Sequence, residues 1–82
     1  MTQSIYVGNL PYSVSEPELR GLFEQYGEVQ SVNLIMDRET GRPRGFGFVT
    51  MERADALNAI EALNGTELGG RTMRVNEAQP RR

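Results

Sequence analysis

Apolar residues change from an alternating to a helical spacing near the start of the chain. Ile5 and Val7 alternate with Tyr6, which predicts a short strand. A helix is predicted to follow, starting at the capping-box pattern of residues 15–18 and ending at Gly27. Its apolar stripe recurs at positions i, i+3, i+4 and i+7: Leu19, Leu22, Phe23 and Tyr26.

The rest of the chain adds three strands and one helix. Strands are predicted over residues 29–36 and 45–51, and again where Met73 and Val75 alternate with polar residues. The second helix covers residues 53–64. In the resulting order βαββαβ, two right-handed crossovers put both helices on one face of an antiparallel sheet. We therefore expect an α+β, ferredoxin-like sandwich with strand order 4-1-3-2 and one open sheet face.

Alternation assigns a face to each side chain in three of the strands. One set in each strand is aliphatic and is expected to face the helices: Ile5 and Val7; Val32, Leu34 and Met36; Met73 and Val75. The other set is then expected on the open face: Tyr6, Asn33, Ile35, Arg74 and Asn76.

The third strand is ambiguous. Phe46 and Phe48 share one face with Arg44, whereas Gly45 and Gly47 lie on the other. A strand phenylalanine is usually buried. However, an unpaired buried arginine is costly, and the glycines would fit beneath a closely packed helix. These two features favour Phe46 and Phe48 on the open face of the sheet, but they do not decide between the two faces.

Composition disfavours several functional classes. The 82 residues suffice for one small domain and include no Cys and no His. The usual zinc ligands and the commonest general base are therefore missing, which disfavours metalloenzymes, zinc fingers and Ser–His or Cys hydrolases. No apolar run approaches a membrane span of about 20 residues, and residues 1–4 do not begin a signal peptide. We expect a cytoplasmic protein without a metal, a cofactor or a membrane segment.

The charges are unevenly distributed although the net charge is only −2. All nine cations are arginines, and they concentrate in two places: Arg38, Arg42 and Arg44; and Arg71, Arg74, Arg81 and Arg82. The acidic residues concentrate in two stretches around the predicted helices, from Glu16 to Glu28 and from Glu52 to Glu67. Both distributions are also compatible with ordinary solvated surface charge.

Two short stretches resemble the motifs of a known family. Residues 44–51, Arg-Gly-Phe-Gly-Phe-Val-Thr-Met, resemble the ribonucleoprotein octapeptide at seven of eight positions. Met51 replaces the final aromatic residue on the face assigned to the core. Residues 5–10 are similar to the family's hexapeptide on the first strand. The chain thus resembles the RNA recognition motif family, especially small single-domain RNA-binding proteins of bacteria, with plant glycine-rich RNA-binding proteins as relatives.

The resemblance implies a set of RNA-binding residues. Tyr6, Phe46 and Phe48 would stack on bases, and Arg44 would meet a phosphate or a base edge. Further contacts are implied on the open face, after the first strand and after the last strand: Asn33, Ile35, Arg74, Asn76, Asn9, Gln79, Pro80 and Arg81. For Asn9, Asn33 and Asn76, an ordinary polar surface position is an equally open interpretation.

The predicted function is binding of about two to four nucleotides of single-stranded RNA. We expect a monomer, with residues 1–78 as the RNA-binding domain and 79–82 as a short tail, acting in post-transcriptional regulation or RNA chaperoning. Two alternatives remain open: single-stranded DNA binding, because stacking ignores the sugar, and a protein-interaction domain on the same fold. An enzyme is least favoured, because the chain shows no paired-carboxylate site and no phosphate-binding helix start.

Overall fold

The structure is a computed structural model that describes residues 1–78, without the side chain of Pro43. It contains two helices, α1 (Glu16–Glu24) and α2 (Arg53–Leu63). Its strands are β1 (Thr2–Gly8), β2 (Val29–Met36), β3 (Pro43–Glu52), β4 (Glu67–Leu68), β5 (Arg71–Thr72) and β6 (Arg74–Glu77). The predicted tail, residues 79–82, lies outside the described residues, so the domain boundary at residue 78 stays a prediction.

The four longer strands form one antiparallel sheet in the order β2-β3-β1-β6. Counted over these four strands from the other edge, this is the predicted order 4-1-3-2. The strands β4 and β5 form a separate small hairpin that the sequence analysis does not predict. The predicted α+β fold is therefore confirmed, with one added hairpin.

The core lies between one face of the sheet and the two helices. Its buried side chains are those of the predicted aliphatic sets, except Val32 and Met36, together with the inner faces of the helices and loops: Ile5, Val7, Leu10, Val14, Leu19, Phe23, Val29, Leu34, Val49, Met51, Ala56, Ala59, Leu63, Met73 and Val75. Val32 packs against this core half-buried. Because Met51 is fully buried here, its departure from the octapeptide pattern concerns packing, as expected. Within residues 1–78, neither helix is long and apolar enough to cross a membrane.

Helix α1 begins as predicted and ends early. The Ser15 hydroxyl caps it by accepting the Glu18 N–H at 3.3 Å. At the other end, the Tyr26 N–H donates to the Phe23 carbonyl at 3.0 Å, an i to i−3 bond that tightens the last turn. The α-helical pattern therefore stops at Glu24, and the predicted end at Gly27 is too late.

The prediction that Met36 faces the core is wrong. Its side chain is 50% exposed. Between Leu34 and Met36 the register with β3 shifts, so that Leu34 pairs with Gly47 but Met36 pairs with Pro43. Between these two pairs, three residues of β3 (44–46) lie opposite one residue of β2, Ile35, and this irregularity breaks the alternation on which the prediction depended.

Gly45 and Gly47 on β3 are required for a reason other than the expected packing beneath a helix. A Cβ built on Gly47 would lie 2.7 Å from the carbonyl oxygen of Asn33 and 3.2 Å from Cα of Leu34, so the neighbouring strand excludes a side chain. Gly45 has a φ of 88°, a backbone conformation that other residues rarely adopt. Strand geometry, and not a helix packed above, accounts for both positions.

Candidate nucleic-acid interface

Three aromatic rings lie together on the sheet face opposite the helices. Tyr6 on β1 pairs directly with Phe48 on β3, and Phe46 is two residues from Phe48 on the same face. The ring centroids are 6.0 Å apart for Tyr6–Phe46 and Tyr6–Phe48, and 6.2 Å apart for Phe46–Phe48. We call these three residues the ring platform.

The rings hold one another in fixed orientations. Tyr6 and Phe46 are tilted by 32°, whereas Phe48 meets Tyr6 at 63° and Phe46 at 89°. Such edge-to-face pairs are favourable by about 0.5–1.5 kcal/mol beyond the area they bury. All three rings are half-buried, so part of each remains open to a ligand. Their spacing is almost twice the ~3.4 Å repeat of stacked bases, which suits separated bases of a single strand.

Two exposed amides extend the platform across the whole sheet. Asn33 on β2 pairs with Phe48, and Asn76 on β6 pairs with Tyr6. Paired residues of antiparallel strands share a face, so Asn33, Phe48, Tyr6 and Asn76 form one row, which we call the central row. Each amide offers donors and an acceptor beside a ring. At about 4.8 Å between strands, the row is roughly 14 Å long.

Gly8 supports the position of Tyr6. A Cβ built on Gly8 would lie 2.7 Å from both Cε2 and Cζ of the Tyr6 ring. The ring therefore lies over the glycine, which the sequence analysis had not assigned to the site. Arg74, exposed on β6, pairs with Gly8 and so flanks the next position along the sheet.

Arg44 is exposed, but its surroundings differ from those expected. It lines a cleft of about 370 Å³ together with residues of two loops: Tyr12, Asp37, Thr40 and Arg42. The register shift beside it means that alternation does not set its phase relative to Phe46. Ile35 lies in the same shifted stretch of β2 and is half-buried.

The amide of Asn9 has two partners within the protein. Its Nδ2 donates to the Thr72 carbonyl at 2.6 Å, and its Oδ1 accepts from Nη2 of Arg71 at 2.9 Å. Asn9 also has a positive φ of 57°, which asparagine tolerates better than most residues. The structure thus uses Asn9 to tie the end of β1 to β5, a role that short-range sequence patterns do not reveal.

The remaining expected contacts, Gln79, Pro80 and Arg81, lie outside the described residues. Within residues 1–78, no group of three Asp or Glu side chains is arranged to hold a metal ion. Apart from Ile35, the predicted site residues that the structure describes carry aromatic rings, amides or guanidinium groups.

Residues 5–74 match the sequence profile of a family described as RNA recognition motif. The chain belongs to this family. The match includes both motif stretches, which contain the three residues of the ring platform.

Relatives of the RNA recognition motif domain occur in bacteria and plants. One, named RNA-binding protein RbpA, is from a Synechocystis species and is 58% identical over 79 residues, covering 95% of this chain and 78% of the relative. Another, named glycine-rich RNA-binding protein 3, mitochondrial, is from Arabidopsis thaliana. It is 47% identical over 81 residues, covering 98% of this chain but only 26% of the relative. The predicted bacterial and plant kinship is confirmed.

Solved structures agree on the fold. The crystal structure of an RNA-binding protein called PG1 superposes with a TM-score of 0.91 at 53% identity, covering 98% of each chain. The Rna15 RNA recognition motif, solved with bound RNA (GU), superposes with a TM-score of 0.85 at 27% identity, covering 94% of this chain and 83% of that one.

Proposed function

We propose that this protein binds single-stranded RNA by stacking bases on the ring platform. The observation that carries the proposal is the clustering of Tyr6, Phe46 and Phe48 within 6.2 Å of one another on the sheet face that the helices leave open. Half-buried aromatic rings grouped on a surface are costly unless a ligand covers them. Membership of the RNA recognition motif family and the RNA-bound Rna15 structure support RNA as that ligand.

The central row supports a division of labour within the site. Phe48 and Tyr6 would provide affinity by stacking, which every base allows. Asn33 and Asn76, at the two ends of the row, would read base edges through their amides. Arg74 would meet a phosphate near Gly8. The row contains no carboxylate or imidazole, so we propose binding without catalysis.

The first experiment is selection of bound sequences from a random single-stranded RNA pool, with a DNA pool of the same length beside it. We expect enrichment of RNA sequences with a shared motif of two to four nucleotides. Equal enrichment from DNA would mean that the sugar is not read and that the ligand is single-stranded nucleic acid in general. Enrichment from neither pool by the folded protein would contradict the proposal and would favour a protein partner for the platform.

The second experiment removes the rings. We expect the Phe46→Ala/Phe48→Ala variant to fold and to lose RNA affinity by at least about 30-fold, because each stacked base contributes roughly 1–3 kcal/mol. Leu57→Ala is the matched control, since it removes an exposed apolar side chain from α2. Unchanged affinity of the double variant would show that bases do not rest on these rings.

We further propose that the protein acts as a monomer in the cytoplasm, in post-transcriptional regulation or RNA chaperoning. One copy already contains a complete row of rings and amides, which supports a monomer. The bacterial relative named as an RNA-binding protein supports a cytoplasmic RNA target. Light scattering behind size-exclusion chromatography, with and without RNA, tests the oligomeric state.

A further inference from the structure

A second candidate binding surface lies beside the ring platform. The cleft of about 370 Å³ described above opens between the loop that follows β1 and the loop that joins β2 to β3. We call it the loop cleft, and its lining is Tyr12, Asp37, Thr40, Arg42 and Arg44. Its volume lies within the range of small-ligand pockets. Tyr12 and Arg42 belong to neither family motif.

Tyr12 is an exposed ring held in place by a cation. It is 63% exposed, and Cζ of Arg71 lies 5.7 Å from its ring centroid. Arg71 is itself fixed by the hydrogen bond to Oδ1 of Asn9. The contact with Arg71 favours one position of the ring, and most of the ring surface remains open to a stacking partner.

The cleft is positive although the whole chain is negative. Among its lining residues, Arg42 and Arg44 contribute two positive charges against one negative charge from Asp37, a local balance of +1 in a protein of net charge −2, and Arg71 adds a positive charge beside the Tyr12 ring. In the part of the chain that the structure describes, no carboxylate lies within 4.0 Å of these three guanidinium groups. These cations are therefore available to an anion.

The acidic residue of the cleft has a separate task. Oδ1 of Asp37 accepts the N–H groups of Glu39 at 2.8 Å and Thr40 at 3.4 Å. The Asp37 N–H donates a hydrogen bond to the Arg42 carbonyl, and the Asp37 carbonyl accepts one from the Gly41 N–H, both at 2.8 Å. Asp37 thus closes the loop and sets the position from which Arg42 extends.

The loop cleft is continuous with the ring platform. Gly45 follows Arg44 and precedes Phe46, and a Cβ built on Gly45 would lie 3.7 Å from Cε1 of Tyr12. A nucleic-acid strand leaving Phe46 in this direction would meet the Tyr12 ring next, with guanidinium groups beside it.

We propose that the loop cleft binds one further nucleotide of the strand on the platform, with Tyr12 against the base and Arg42 and Arg44 at the phosphate. This inference rests on the proposed RNA binding and extends it beyond the sheet. A planar base suits the exposed ring, and an arginine fork suits a phosphate.

The test compares short and long RNA. Random-sequence RNA of three nucleotides can occupy the platform alone, whereas random-sequence RNA of eight nucleotides reaches the loop cleft. NMR titrations give the affinity of each, and ring-proton shifts report which aromatic residues are contacted. We expect Tyr12→Ala and Arg42→Ala each to lose at least fivefold in affinity for the eight-nucleotide RNA, and less than twofold for the three-nucleotide RNA.

Two further variants separate the cleft from its surroundings. Arg38→Ala removes the same charge from the same loop outside the cleft lining, and we expect it to bind both RNAs as the wild type does. Tyr12→Phe keeps the ring and should retain the affinity that Tyr12→Ala loses. Thermal melts should be unchanged, since Tyr12 is mostly exposed.

Each failure has its own signature. Wild-type affinity of Tyr12→Ala and Arg42→Ala for the eight-nucleotide RNA would overturn the cleft proposal while leaving platform binding intact. An equal loss in Arg38→Ala would overturn it as well, because loop charge alone would then explain the effect. Absence of binding by the wild type to both RNAs would instead refute the proposed function.

Discussion

The ring of Tyr6 lies over Gly8, with the place of a missing Cβ only 2.7 Å from two ring carbons. This relationship joins two residues of one strand on the same face, one supplying the ring and the other leaving room for it. The close neighbour is the end of a side chain, so a larger residue at position 8 would move the ring and not the backbone. Position 8 therefore controls the orientation of a ring without forming part of the ring platform.

We expect Gly8→Ala to lower RNA affinity about tenfold with little change in stability. The new methyl group would displace the Tyr6 ring from its position over residue 8. Much of the stacking free energy of one base, roughly 1–3 kcal/mol, would then be lost. Fluorescence anisotropy with a labelled RNA and urea unfolding measure the two effects. Gly21→Ala is the control, because Gly21 lies exposed in α1 with nothing within 4 Å of its Cβ position. It should bind RNA normally and be more stable by about 0.5–1 kcal/mol. Normal binding by Gly8→Ala would contradict the proposed role of the Tyr6 orientation.

Gly47→Ala should act on stability first. Its methyl group would lie 2.7 Å from the Asn33 carbonyl oxygen, which belongs to the backbone of β2 and cannot rotate away. We expect a loss of about 1–3 kcal/mol in the free energy of unfolding, measured by urea denaturation. The comparison with Gly8→Ala is informative, since one added methyl meets a mobile ring and the other a strand. Equal stability of the two variants would mean that β2 can move away from β3.

Asn33→Ala and Asn76→Ala should change selectivity more than general affinity. Each amide lies beside a ring in the central row, and a hydrogen bond to a base contributes about 0.5–1.5 kcal/mol. We expect a loss of about 3- to 10-fold for the selected RNA motif and less for a scrambled RNA of the same length. Ser31→Ala, an exposed change on the same strand, should leave both affinities unaltered. Equal losses for both RNAs would assign the amides to nonspecific contact.

Binding of short RNA should depend weakly on salt. The central row carries no formal charge, and Arg74 is the nearest exposed cation in the strand register. Each neutralised phosphate of a single strand adds about 0.7 to the slope of log affinity against log salt. We therefore expect a slope magnitude below about 1.5 for a three-nucleotide RNA, measured between 50 and 200 mM salt, on the order of one or two phosphate contacts. A steeper slope would mean that arginines, more than rings, provide the affinity.

Sequence patterns predicted the element order, the strand order and most of the core, because these follow from local periodicity and from the handedness of the crossovers. They failed where periodicity was interrupted. The register shift beside Met36 and the tightened turn at Phe23 have no signature in the alternation of residue types. The β4–β5 hairpin was missed because its strands have only two residues each.

The site was predictable only as far as local alternation determines it. Alternation placed Tyr6, Asn33 and Asn76 on the open face, but only the register between strands reveals that they share a row with Phe48. The partners of Asn9 lie 62 and 63 positions away in the chain, so local patterns could not identify its role. Tyr12 was overlooked because it stands outside both motifs, and its neighbours come from another loop and from β5.

The central row takes one residue from each of four strands that are scattered from position 6 to position 76. No single hairpin contains it, and the two strands that flank the rings, β2 and β6, are the edges of the sheet. A partly folded chain without β2 or β6 could group the three rings of β1 and β3, but it would lack the amides at the ends of the row. RNA can contact the complete row only after β6 has paired with β1. Bound RNA would therefore stabilise the complete four-stranded sheet relative to any form that lacks an edge strand.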